Sequence, residues 1–177
     1  METLEAREAY ANHWLRVRED AVRRPDGSTG THTYVESTDV ALVVPLDGYR
    51  LHLVEQYRYA VRARRWELPS GSVAADDASP ADCALRELRE ETGLRAGRLE
   101  ALGVLDAAPG TLTQRCHVFL ARDLTAGDAS PDPEEADLRS RWFTRAEVET
   151  MIRAGELCDA KSLAAYLLLR LGVPGEG

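Results

Sequence analysis

Three carboxylates stand close together in one short segment: Glu87, Glu90 and Glu91, in "RELREETGL" (residues 86–94). On a helix they recur at i, i+3 and i+4, so their side chains converge on one stripe. Two readings follow. Arg86 and Arg89 could balance them on an ordinary solvated face, a common fate of Glu/Arg-rich helices. Alternatively, a divalent cation sits among them. The carboxylates lie towards the C-terminal end of the helix, where the macrodipole disfavours negative charge, and a cation would reverse that penalty. Hard oxygen donors without a paired His or Cys suit Mg²⁺, with Mn²⁺ as the alternative. Magnesium uses few carboxylates and completes its shell with water and phosphate oxygens, which points towards phosphate chemistry.

A second cluster has the opposite sign. Arg58, Arg62, Arg64 and Arg65 fall within eight residues of a 177-residue chain whose formal net charge is −8. They read either as a solvated loop or as an anion site, since arginine's planar fork suits phosphate. The net negative charge argues against broad binding to nucleic acid or an anionic membrane. The longest apolar runs, "VALVVPL" and "SLAAYLLL", are too short to cross a bilayer. The N-terminus is acidic and lacks an apolar signal core. Cys83, Cys116 and Cys158 are odd in number and far apart, so neither a disulfide framework nor a zinc site is expected. A cytoplasmic location fits.

The elements that must carry these groups follow from local patterning. "NHWLRVREDAVRR", a "PDG" turn and "THTYVES" predict an N-terminal antiparallel ribbon over residues 1–38. "VALVVPL", Asp47-Gly48 and "YRLHLVEQYRY" predict a hairpin, its first arm covered on both faces. "WELPSG" reads as a short strand ending in a turn. Ser79, Pro80 and Asp82 start the acidic helix and Gly93 ends it. Ala81, Ala84, Leu85 and Leu88 form its expected core stripe. Strands are expected at "LEALGVLD" and "CHVFLARDL". Thr144 and Glu147 make a capping box for a helix facing inwards through Val148, Met151 and Ile152, and Asp159 can cap a last helix, "AKSLAAYLLLRL". Interspersed helices and hairpins predict an α/β sandwich around a mixed sheet, with residues 39–173 as the main domain.

The stretch from Gly71 to Leu94 resembles the Nudix box, GX5EX7REUXEEXGU, in which U is a bulky apolar residue. "RELREETGL" matches at every specified position. The first half departs from the pattern: fourteen residues separate Gly71 from Arg86 where the pattern has thirteen, and Asp77 or Asp76 replaces the glutamate. No role is assigned to Asp77. The resemblance implies a Nudix-type α/β/α sandwich and a Mg²⁺-dependent hydrolase of nucleoside diphosphates linked to another group. It makes Glu87, Glu90 and Glu91 metal ligands, with the Ser70 carbonyl completing the shell and Arg86 orienting a box glutamate.

The flanks resemble the ADP-ribose pyrophosphatase branch of that superfamily: "LVEQYRY" followed by "WELPSG", "GELCDAKSLAAYLLL", and the N-terminal ribbon as a β appendage. The resemblance implies cleavage of ADP-ribose or a related ADP-sugar to AMP and a sugar phosphate. It places Arg58, Glu67, Pro109 and Gly110 near substrate, and implies a homodimer built by exchanging the ribbon. Gln114 stands near where relatives often have a glutamate. Glu134 and Glu135, in the acidic loop "PDPEEAD", are the expected source of a general base. Trp14, Tyr34 and Tyr57 could stack or simply pack. The rival expectations are another Nudix substrate (a GDP-sugar, a dinucleoside polyphosphate or an oxidised nucleotide) and a nucleotide-sugar sensor without turnover.

Overall fold

A computed structural model describes residues 1–130 and 137–172. The chain divides into two compact units, one of residues 1–39 and 106–115, the other of the remainder.

The first unit is a four-stranded antiparallel sheet. β3 (Leu15–Arg23) pairs along its whole length with β4 (Thr29–Ser37). The hairpin turn uses Gly27 at φ 84°, and Gly27 N donates to Arg24 O. The other edge of β3 carries β1 (Glu2–Glu5) and β2 (Glu8–Ala11) end to end. These two strands go beyond the sequence reading. Both are exposed at every residue, so no apolar alternation announces them. Between them Arg7 N donates to Asp20 Oδ1 at 3.1 Å. Residues 106–115 join this unit through Val35, whose N–H donates to Thr111 O and whose carbonyl accepts from Thr113 N.

The second unit holds a seven-stranded mixed sheet. β5 (Val40–Asp47) pairs antiparallel with β6 (Arg50–Arg58) and parallel with β10 (Arg115–Ala126). β9 (Leu94–Asp106) flanks β10, and β11 (Arg139–Thr144) pairs antiparallel with β6. Two short strands, β7 (Ala63–Glu67) on β6 and β8 (Ser70–Ser72) on β5, complete it. β5 is buried at every residue but its last, as its continuous apolar run requires.

One face packs α1 (Pro80–Thr92) through Cys83, Ala84 and Leu88 against Ala41, Val43 and Ala121. The opposite face, with Leu42, Val44, Leu51, Leu53 and Phe143, receives α2 (Arg145–Ala154) and α3 (Ala160–Gly172). This is the expected helix–sheet–helix sandwich. The caps are as the sequence requires: Ser79 accepts from Asp82 N, Gly93 adopts φ 72°, and Thr144 with Glu147 closes a capping box.

The core stripe of α1 is rotated from the expected one. Leu85 is exposed, and the buried residues are Cys83, Ala84, Glu87, Leu88 and Glu91. Two of the three glutamates therefore face inwards with the apolar residues. No described helix is long and apolar enough to cross a membrane.

Candidate functional site: the acidic face of α1

Glu87 and Glu91 retain only 8% and 2% of their exposure. Charged groups buried to this degree require compensation. The strand–turn "PSGS" supplies part of it. Pro69 O accepts from Val43 N at 2.9 Å, which locks the turn onto the sheet. Ser70 N then donates to Glu91 Oε2 at 3.2 Å. Next comes Gly71, where any side-chain carbon would collide with the Glu87 carboxylate. Glycine is needed here for space, not for its φ angle.

Arg86 is the hub of the cluster. Its Nη1 donates to Glu87 Oε1 at 2.7 Å and to Glu90 Oε2 at 3.1 Å. Its Nε and Nη2 grip Asp77 Oδ1 and Oδ2 at 3.1 and 3.0 Å, and Nη2 also reaches the Ser72 carbonyl. These hydrogen bonds, the Asp77 pair foremost, raise the Arg86 pKa, and the same pair holds the Asp77 carboxyl below its usual range. The sequence gives Asp77 no role and leaves Asp76 open for the acidic position; in the structure it is Asp77 that Arg86 holds. In the turn before the helix, Ala74 N donates to Asp77 Oδ2 at 2.8 Å. Cys83, which the sequence offers only as one of three dispersed thiols, lies at this cluster. Its thiol points at the Ser72 carbonyl, 3.4 Å away, and accepts from Arg86 Nη2.

The other end of α1 is tied to the segment before the acidic loop. Ser130 N donates to Glu90 O at 3.0 Å, and Gly93 lies against the backbone of Gly127 and Ala129.

Arg58 and Glu67 form a bidentate pair at 2.8 and 2.6 Å across β6 and β7, with Glu67 almost fully buried. The Arg58 pKa is raised, first by its hydrogen bonds to Glu67 and then by the charges of Glu67, Glu91 and Asp159. Arg58 therefore lies within the electrostatic reach of the box helix. The rest of the basic cluster separates from it. Arg64 pairs with Glu55 and Asp137, while Arg62 sits in a left-handed turn after the 3₁₀ segment Tyr59–Val61.

Pro109 and Gly110 belong to the first unit, beside a cavity of about 210 Å³ lined also by His32, Tyr34 and Thr111. Gln114 donates through Nε2 to Thr38 O at 3.0 Å. Trp14 is exposed against His13, Tyr34 donates to Asp20, and Tyr57 is exposed. Glu134 and Glu135 lie outside the described residues.

Do these groups fit a divalent cation? Among the described residues no three acidic, imidazole or thiol groups converge as a ready-made cation site. Arg86 lies among the carboxylates and neutralises them instead. Yet the donor chemistry fits. The helix presents carboxylate oxygens on a buried face, and Gly71, lacking a side chain, lets the Glu87 carboxylate lie against the turn. The one soft atom nearby, the Cys83 thiol, is pushed up to about 12, mainly by burial and then by Glu87, so it stays protonated.

Comparison with known proteins decides the family. Residues 36–166 match the NUDIX domain. The chain belongs to that family. Residues 1–35 match the nucleoside diphosphate sugar hydrolase N-terminal domain. This Nudix chain is 34% identical to an ADP-ribose pyrophosphatase of Mycobacterium tuberculosis, over 98% of this chain and 85% of that protein. It is 30% identical to a CMP-5'-(N-acetyl-N-hydroxy-3-aminopropyl)phosphonate hydrolase of Streptomyces rubellomurinus, over 96% and 81%. A crystal structure of an ADP compounds hydrolase superposes with a TM-score of 0.86 at 20% identity, covering 99% of this chain and 95% of that one.

Proposed function

We propose that this chain is a Mg²⁺-dependent Nudix diphosphatase that hydrolyses ADP-ribose or a related ADP-sugar to AMP and a sugar phosphate. The observation that carries the reading is the burial of Glu87 and Glu91 against the Ser70–Gly71 turn, within electrostatic reach of the Arg58–Glu67 pair. A solvated acidic helix would not bury two carboxylates, so the first of the two sequence readings loses ground. Likeness over nearly the whole chain to an ADP-ribose pyrophosphatase supports the choice of substrate.

Glu87, Glu90 and Glu91, with the Ser70 carbonyl, would hold the metal. When bound, Mg²⁺ polarises phosphoryl oxygens and lowers the pKa of an attacking water. The protein's own residues do the rest. Arg86 and Asp77 hold the turn and helix together so that the carboxylates stay on one face. Arg58 commits Nε and Nη2 to Glu67, which fixes its plane and leaves Nη1 for a phosphate oxygen. Water attacks one phosphorus, the P–O bond to the bridging oxygen breaks, and the products separate as two monophosphates. The N-terminal sheet is the dimerisation arm, and the three free thiols fit a reducing cytoplasm.

A second reading, hydrolysis of a CMP-linked compound, is favoured by the 30% identity to the phosphonate hydrolase. The test is turnover of a panel with Mg²⁺: ADP-ribose, an ADP-sugar, a GDP-sugar, a CMP-linked phosphonate and a dinucleoside polyphosphate. Release of AMP and ribose phosphate from ADP-ribose supports the first reading, and no ADP-ribose turnover sinks it. Glu91→Gln should cut kcat/KM about 10²- to 10³-fold, as loss of one preorganised electrostatic contact does. Binding without turnover in the unsubstituted chain would make it a sensor.

A further inference from the structure

Ser162 is 1% exposed, in the first turn of α3 and on the far side of the sheet from the box helix. Its hydroxyl donates to Asp159 Oδ2 at 2.8 Å, and the same oxygen accepts from Ser162 N at 2.8 Å. With its proton committed to a carboxylate, the hydroxyl turns a lone pair outwards. That lone pair accepts from Leu68 N at 2.9 Å, across 94 positions of sequence. The bond is buried, and its energy is correspondingly sensitive to loss of either partner.

Leu68 is the middle of a segment that reaches the site on both sides. Glu67 before it grips Arg58. Pro69 after it is bound by Val43 N, Ser70 by Glu91, and Gly71 is filled against Glu87. Leu68 lies between the two short strands, where no ladder partner fixes its N–H. The hydroxyl of Ser162 takes that place. Asp159 also acts directly on Arg58 through its charge.

We propose that Ser162, oriented by Asp159, is a positioning residue for the diphosphate site: its hydroxyl sets the backbone from Glu67 to Gly71, and through it the plane of Arg58. This rests on the function proposed above. It adds a residue on α3 whose side chain hydrogen-bonds to Leu68 and Asp159.

The experiment compares Ser162→Ala with Leu169→Ala, a buried change on the same helix that makes no contact with Leu68 through a hydrogen bond. Ser162→Ala should raise KM for ADP-ribose about five- to tenfold with kcat within about twofold, the effect of one lost buried hydrogen bond. Amide exchange of a 67–71 peptide should quicken by roughly the same factor. Leu169→Ala, although destabilised by a cavity, should keep the KM and the local exchange of the unsubstituted chain. Equal KM shifts in both variants, or unchanged 67–71 exchange in Ser162→Ala, overturn the proposal. The exchange arm needs no turnover. A chain inactive on every diphosphate but showing the Ser162-specific exchange would sink the functional reading and leave the positioning role standing.

Discussion

Arg86 holds Asp77 with both arms of its guanidinium fork, at 3.1 and 3.0 Å, while its third nitrogen bridges Glu87 and Glu90. One cation thus joins the turn before the helix to the acidic face of the helix. Bidentate charge-assisted pairs of this kind are among the stronger polar contacts in proteins.

Asp77→Asn should therefore cost about 1–3 kcal/mol in urea unfolding at pH 7, the range for a charge-assisted hydrogen bond left half-made. The Asp77 pKa is lowered in the folded protein, chiefly by the Arg86 hydrogen bonds. Its contribution is thus complete above the unfolded value of 3.8 and lost only as the pH falls below it. Activity of the variant should drop about tenfold or more as Arg86 is freed to reorient, and steady-state kinetics would show it.

Gly71→Ala places a methyl group where the Glu87 carboxylate lies. The carboxylate must move or the turn must open. The Mg²⁺ concentration needed for half-maximal activity should rise about 10- to 100-fold, the usual effect of disturbing a group that holds a metal ligand. A metal titration that superimposes on that of the unsubstituted chain would count against the assignment of Glu87.

Arg58→Lys keeps the positive charge beside the buried Glu67 but loses the fork. Removal of the charge altogether would leave a buried carboxylate unpaired, at a cost of about 3–5 kcal/mol, so lysine is the more informative change. KM for ADP-ribose should rise about tenfold, the equivalent of roughly 1.4 kcal/mol, with only a small shift in Tm. An unchanged KM would remove Arg58 from the substrate site.

His52 is buried against Trp142, ring centroids 4.8 Å apart, and its Nδ1 makes no hydrogen bond among the described residues. Burial lowers its pKa from 6.5 to about 4. Between those values the unfolded chain takes up a proton that the folded chain refuses. Stability must fall as the pH drops through that window and be fully retained above it. At pH 5 the loss is about 2 kcal/mol from this group, by the two-state linkage relation. His52→Phe should flatten the pH 7-to-5 change in the free energy of urea unfolding by about that amount. A slope equal to that of the unsubstituted chain would assign the acid sensitivity elsewhere.

The clearest local features were legible in the residues alone. Ser79, Gly93, Thr144 with Glu147, and Asp159 act within a turn or two of chain, so their hydrogen bonds are encoded by near neighbours. The apolar run of β5 could only be a strand covered on both faces. Where polar residues formed strands exposed throughout, as in β1 and β2, no periodicity existed to be read.

By itself the sequence determined that three carboxylates share one stripe of a capped helix, and that their donor chemistry suits a hard cation. The α-helical period and the side-chain oxygens suffice for that. Tertiary structure decided which way the stripe turns. It buried Glu87 and Glu91 in place of Leu85, gave Arg86 to Asp77, and brought Ser162 to Leu68. Those choices depend on how α1 and α3 pack on opposite faces of one sheet, and on the space that Gly71 leaves free. Contacts between residues far apart in the chain follow from packing volume and from the pairing of buried polar groups, and neither leaves a periodic mark in the residues.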